Sequence, residues 1–439
     1  MRDLAIIGLW HQGVVGSACM ADLGYKVVGL DKDFERIQEL NKGNAPLYEP
    51  GLDDLLKKGI DSKRLIFSSD FKEGLLGKKD IMIMFDTPVD DDDKSDLTEL
   101  YEVVDEISTI LEDNVVLYIT AQVAVGTCFE IKQRITKKNP DLKFDIAYSP
   151  ENLRLGKAID LFNNPALPVI GAENPATYDR VCKLLEPLNA DWRHVNLATS
   201  EMTKHALNAY LALSITFGNE IGNLCDEVGA DGHKIAKLLK LEPRVGDQAM
   251  LLPGLGFSGA TLARDVQTLR YLSKAKNLET LLLDGLWSSN TRQNDLVIRK
   301  IRKKHSTLKD LPIAVLGLTY KPDTSTLRRS ASIEIIERML EEEALVSCHD
   351  PKADPEELEL FPNINSYDSL YEAIEGSKVL TLLTPWKDYY DLDFKLVKEI
   401  MSPDPIIIDT ANIWDSENLE NLGFIYLDIG KGSHSGESL

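Results

Sequence analysis

The stretch from Leu4 to Asp31 constrains the fold more than any other part of the chain. An apolar run, Leu4 to Ile7, breaks at Gly8-Leu9-Trp10-His11-Gln12-Gly13, passes into a helix-forming segment, and returns as a second apolar run, Lys26 to Leu30, ending at Asp31. Strand, glycine turn, helix and second strand make a right-handed crossover between parallel strands, and such a sheet needs helices on both faces. The amides of the turn and the N-terminus of the helix attract a pyrophosphate. Asp31 follows Gly8 by 23 residues. A carboxylate at that point accepts the adenosine ribose hydroxyls and repels a 2′-phosphate, so NAD is expected over NADP. Trp10 stands where the second glycine of such a turn lets the backbone approach the pyrophosphate. Its Cβ and indole either push the cofactor away or reshape the turn. A sheet of this type that no longer binds a dinucleotide is the alternative.

The same rhythm continues through Ile81 to Phe85, Val115 to Ile119 and Phe144 to Ala147, which read as buried strands. They predict an α/β domain over 1–196, a Rossmann domain. Ser200 and Glu201 make a helix start, and no proline follows through about Val228. One long helix is expected there, within a central helical segment spanning 197–305. Strand-like runs return at Ile313 to Leu316, Leu345 to Cys348, Val379 to Leu383 and Ile406 to Ile408, with a helix at Ser332 to Glu343. These predict a smaller, Rossmann-like domain over 306–439. Asp90 to Asp93 reads as a solvated loop, with a metal site the remote alternative, and Gly430 to Leu439 as a polar frayed tail.

The 439 residues carry 71 acidic against 49 basic side chains, a net charge of −22. A polyanionic partner would be repelled overall, so nucleic-acid binding is not expected and any phosphate must meet a local site. The five cysteines have neither CxxC spacing nor a histidine cluster beside them, which argues against structural zinc and a disulfide framework, and no metal is expected. A reducing, cytoplasmic compartment is expected. No apolar run reaches the roughly 18 residues of a membrane span, so no membrane partner is implied.

The runs Asn41-Lys42-Gly43 and Pro46-Leu47-Tyr48-Glu49-Pro50-Gly51-Leu52 resemble the UDP-glucose/GDP-mannose dehydrogenase family. So do Thr87-Pro88, Val125-Gly126-Thr127, Ser149-Pro150-Glu151, Leu153-Arg154 and Gly156. The likeness continues through Lys204, Asn208-Ala209, Asn219-Glu220, the loop Pro253 to Asp265, Lys321-Pro322 and Arg328. The resemblance implies an N-terminal NAD-binding Rossmann domain, a central helical segment forming a homodimer, and a C-terminal domain holding a nucleotide-sugar substrate. Family members oxidise the sugar C6 alcohol to a carboxylate with two NAD.

Lys204 and Asn208 are four apart on the expected helix and share one face. The resemblance makes them the donors that stabilise negative charge at C6, with Asp265 as general base. The family's nucleophilic cysteine ends the glycine loop, and by spacing that position is Thr261, a poor nucleophile without a strong base beside it. Leu155 stands where the family has a second glutamate, so two groups of the second oxidation are missing. On the cofactor side, Gly8, Trp10, His11, Gln12, Gly13, Asp31, Arg36, Thr87, Pro88, Gln122 and Arg328 are the candidates. On the substrate side they are Glu151, Leu153, Arg154, Gly256, Phe257, Gly259 and Lys321, with Arg244 donated by the partner subunit. These features imply an oxidoreductase acting on the C6 alcohol of a UDP-sugar, slow or halted at the aldehyde. A degenerate NAD and nucleotide-sugar binder, and a full four-electron dehydrogenase without cysteine, remain open.

Overall fold

Strands that are apolar on both faces need cover on both faces, and the sheets of this protein are built on that demand. A computed structural model describes residues 3–88, 95–150, 152–259 and 261–432. The acidic run Asp90 to Asp93 and Glu151 lie outside the described residues. The chain forms two compact units, Met1–Leu207 and Asn208–Leu439.

In the first unit, β1 (Asp3–Ile7), β2 (Lys26–Leu30), β3 (Leu65–Ser68), β4 (Asp80–Ile83), β5 (Val115–Ile119), β6 (Phe144–Tyr148), β7 (Val169–Ala172) and β8 (Arg193–Val195) form one sheet. Its order is β3-β2-β1-β4-β5-β6-β7-β8, parallel throughout except at β6 and β7. Alternate residues supply two cores. Leu4, Ile6, Met82 and Tyr118 pack on one face, and Ala5, Ile7, Ile83 and Leu117 on the other. The order reverses between β1 and β4, which opens a crevice at the carboxyl ends of those strands. Helix α1 (His11–Asp22) starts there, and α2 (Phe34–Asn41) follows β2.

In the second unit, β9 (Pro312–Leu316), β10 (Leu345–His349), β11 (Asn365–Ser366), β12 (Val379–Leu382), β13 (Ile406–Asp409) and β14 (Ile425–Asp428) form a fully parallel sheet ordered β11-β10-β9-β12-β13-β14. It repeats the turn of the first unit. Gly8 and Gly317 have φ of +92° and +94°. In each case the next amide, of Leu9 or Leu318, donates at 2.7 Å to an aspartate ending the second strand, Asp31 or Asp350.

The long helix runs Leu197–Val228 over 32 residues, beginning three residues before the expected Ser200. Asn196 accepts from the Thr199 amide at 2.8 Å in N-cap fashion, whereas the Ser200 hydroxyl donates to the Tyr148 carbonyl at 3.2 Å. The expected frayed tail begins too early. The Gly430 carbonyl accepts from the Gly232 amide at 2.7 Å and Lys431 forms a bridge with Asp231, because this backbone finds partners at the start of a helix. Among the described residues no helix is long and apolar enough to cross a membrane.

Candidate active site

The crevice between β1 and β4 is lined by Gly8, Leu9, Trp10, Asp31, Arg36, Thr87, Pro88 and Glu99, with Asp86 among them. A Cβ on Gly8 would lie 2.9 Å from the Met84 carbonyl oxygen, and one on Gly13 only 1.6 Å from the Gly8 oxygen. Both positions therefore need glycine, the first for its φ and both for space. The turn is a backbone cradle of the kind a dinucleotide needs, and the residues that form it fit that cofactor.

Asp31 is buried, and three donors already reach its carboxylate: the Leu9 amide at 2.7 Å, the Asp33 amide at 2.9 Å and Arg36 at 2.9 Å. A carboxylate has about four acceptor sites, so one is left for a ribose hydroxyl. Arg36 also meets Asp33 at 3.2 Å. Two carboxylates thus face one guanidinium, leaving the pocket net negative where a 2′-phosphate would sit. Trp10 is 41% exposed and Arg36 stacks on its ring, 5.1 Å from the centroid. The part-exposed indole lines the crevice and carries the Arg36 guanidinium on its face.

His11 and Gln12 are buried. His11 meets Glu49 at 3.4 Å, and Glu49 accepts the amides of Gly156 and Ala158 at 2.8 Å each, which ties the 153–158 loop to the start of α1. Thr87 donates to the Gln122 carbonyl at 2.8 Å, so these two expected cofactor residues meet through the backbone. The loop after β5 is held from the long helix. Glu201 accepts the amides of Gly126 and Cys128 at 2.7 and 2.8 Å, and His205 lies 2.9 Å from the Val123 carbonyl. Cys128 is fully buried and its thiol is pushed well above the usual range by burial and then by Glu201, which makes it no nucleophile.

Lys204 is 5% exposed, and its ammonium donates to Asn152 Oδ1 at 2.9 Å. Asn152 is a site residue that sequence reasoning missed. Leu153 is half-buried, and Arg154, Leu155 and Pro88 are exposed.

In the second unit, Asn208 is buried and its amide donates to the fully buried Asp265. Thr261, at the N-terminus of the helix Leu262–Ala275, is exposed, and its hydroxyl makes no capping bond. The glycine loop before it is clamped by amides. Asn219 exchanges bonds with Gly254 N at 2.8 Å and Leu255 O at 3.0 Å, and Asn290 with Phe257 N at 2.7 Å and Phe257 O at 2.9 Å. Gln293 donates to the Gly254 carbonyl at 2.7 Å. A Cβ on Gly256 would lie 2.9 Å from oxygens of Asn290 and Asn294, and one on Gly259 within 2.5 Å of the Tyr320 ring. The clamp residues Asn290 and Gln293 went unseen in sequence because lone amides have no spacing signature. Lys321 is exposed, its ammonium 5.9 Å from the Tyr320 centroid, and Arg328 is exposed nearby in sequence. Arg244 is exposed and meets only its near neighbour Glu242 among the described ion pairs, at 2.8 Å.

Comparison with known proteins agrees with this build. The NAD binding domain of the UDP-glucose/GDP-mannose dehydrogenase family matches residues 2–189, its central domain 198–292 and its UDP binding domain 314–416. UDP-glucose 6-dehydrogenase TuaD of Bacillus subtilis is 32% identical over 433 residues, 98% of this chain and 94% of that one. The UDP-glucose 6-dehydrogenase of Rickettsia bellii is 32% identical over 434 residues, 98% and 99% of the two chains. A solved UDP-glucose dehydrogenase from Pyrobaculum islandicum shares the fold with a TM-score of 0.85 at 24% identity, covering 99% of this chain and 98% of its own. The chain belongs to the UDP-glucose/GDP-mannose dehydrogenase family, carries its NAD binding, central and UDP binding domains in that order, and is built as an NAD-dependent nucleotide-sugar dehydrogenase.

Proposed function

We propose that this protein oxidises the C6 alcohol of a UDP-sugar and is slow beyond, or stops at, the aldehyde. The observation that carries the proposal is the buried Asn208–Asp265 pair together with buried Lys204 one turn earlier on the same helix. Asp265 accepts the hydroxyl proton. Asn208 has two amide hydrogens and gives one to Asp265, which leaves the other for the oxygen that becomes negative. Lys204, buried one turn earlier on the same helix and bonded to Asn152, is the ammonium that the family resemblance assigns to the same developing charge. NAD, when bound, accepts the hydride. The match to the family's UDP binding domain supports uridine diphosphate as the nucleotide part. By resemblance, Lys321 is assigned to its phosphates or the sugar, and Gly256, Phe257 and Gly259 to the loop that wraps the substrate.

Thr261 and Leu155 support the early stop. The exposed Thr261 hydroxyl makes no capping bond and shows no activating base among the described contacts, and an exposed leucine neither bonds nor activates water. Thr261→Ala is therefore expected to keep the first hydride transfer within about threefold of the parent, well inside the tenfold of 1.4 kcal/mol. Stopped-flow NADH formation, with intact-mass spectrometry for a sugar adduct, measures this. A stable adduct on Thr261, or acid production abolished by the substitution, would reverse the assignment. Counting NADH per UDP-glucose consumed tests the reading as a whole.

The long helix also supports a homodimer. Tyr210, Phe217, Leu224 and Val228 are 47–62% exposed and recur at helical spacing along one stripe. In such a dimer exposed Arg244 is the residue that the family resemblance assigns to the partner's substrate site. Light scattering at micromolar concentration is expected to give twice the chain mass, and a monomer would remove both claims.

A further inference from the structure

Asp86 is absent from every expectation drawn from the sequence, yet it sits where the cofactor's charge belongs. It follows β4 at the switch point of the sheet, half-buried, and its Oδ2 accepts the Gln12 amide at 3.2 Å in the first turn of α1. The His11 amide faces it as well. Those are the amides that a pyrophosphate takes when it binds at the start of a βαβ helix. A carboxylate and a diphosphate cannot share them while both are ionised, since like charges at contact distance are strongly unfavourable in a partly dry crevice.

Resting on the reading of this crevice as the NAD site, we infer that Asp86 governs cofactor admission: the dinucleotide binds with Asp86 protonated, its carboxyl then donating to a phosphate oxygen while the amides of His11 and Gln12 turn to the diphosphate. The proton comes from solvent, one per cofactor bound. Withdrawal from water already favours the neutral carboxyl, while the Gln12 amide and His11 oppose that shift, so the free protein is prepared for the exchange without having made it. The other charged groups facing the crevice are His11 on α1 with its partner Glu49, Asp31 at the end of β2, Arg36 on α2, and Glu99 on the helix Thr98–Ile107. Asp31 and Asp33 together face the single cation Arg36, and Glu99 is a further carboxylate on the crevice, so the groups around it carry net negative charge.

The sign follows from linkage. Binding raises the Asp86 pKa above its value in the free protein, so affinity is greatest at low pH and falls as pH rises between the two values, by about tenfold per unit. The test is calorimetric titration with NAD from pH 5.5 to 8.5, in pairs of buffers with different ionisation enthalpies, on the parent and on Asp86→Asn. Asparagine keeps the acceptor for the Gln12 amide and removes the charge. Expected are uptake of about one proton by the parent at pH 8, a flat pH profile in Asp86→Asn, and about tenfold or greater tightening of that variant at pH 8. A parent that takes up no proton overturns the inference, as does an Asp86→Asn protein that keeps the slope, which would assign it to His11. If neither protein binds NAD at any pH, the cofactor reading of the crevice fails instead, and this inference falls with it. A misfolded variant is recognised by its melting curve, and the proton count on the parent then decides alone.

Discussion

Replacing Lys204 with alanine is expected to lower kcat by about a hundred- to a thousandfold while changing the KM for UDP-glucose by only a few-fold. The magnitude is that of losing one preorganised donor at a developing oxyanion. The split between the two constants follows from where the charge is: the C6 hydroxyl of the substrate is neutral, so an ammonium aimed at it acts mainly as negative charge grows. Burial sharpens the effect. At 5% exposure the ammonium has given up its water and kept Asn152 as a partner, which fixes it in place. Steady-state kinetics with both constants measures the split. A raised KM with unchanged kcat would make Lys204 a binding residue. Removing the side chain also strands Asn152 Oδ1, at about 1–3 kcal/mol, so melting curves accompany the kinetics.

Gly13→Ala is expected to lower the melting temperature by about 10 °C and to abolish detectable NAD binding. The new methyl would lie 1.6 Å from the Gly8 oxygen, backbone against backbone, with no side chain able to yield. Overpacking of this kind costs about 3 kcal/mol or more, and at about 3 °C per kcal/mol for a unit of this size the shift follows. The cofactor loss has the same origin, since the helix must back away from the strand and takes the first-turn amides with it. Gly24→Ala is the control. Gly24 has a positive φ, +96°, which Gly13 does not, but nothing lies within 4 Å of its Cβ, so only backbone strain of about 1 kcal/mol is added. Equal melting shifts in the two variants would show that the close approach to Gly8 is not what dictates glycine at position 13.

The parts of the fold that were legible are those with a period. β1, β2, β4, β5 and β6 are four- or five-residue strands made mostly of apolar residues, and burial on both faces leaves no other place for them. The strands without such a run went unseen. β8 is Arg193–Val195 with two of its three residues exposed, and β11 is Asn365–Ser366 with both exposed. Edge strands bury little, so their sequences are not obliged to be apolar, and only the neighbouring strand makes them strands. The tail was misjudged for a related reason, because polar composition at Gly430 and Lys431 says nothing about a backbone partner at Gly232 or Asp231.

For the site, the sequence by itself determined the glycine turn, the carboxylate at Asp31 and the order of the chemistry-bearing residues, because each obeys a local rule: a backbone angle, a helical spacing, the end of a strand. Tertiary structure alone decided what those groups touch. Lys204 finds Asn152 across 52 residues, Asn208 finds Asp265 across 57, and Gln12 finds Asp86 across 74. A polar pair needs only one donor and one acceptor brought together by the packing of other elements. It leaves no periodic trace in either segment, so the arrangement that sets charge and protonation in the site exists only once the sheet and the long helix are in place.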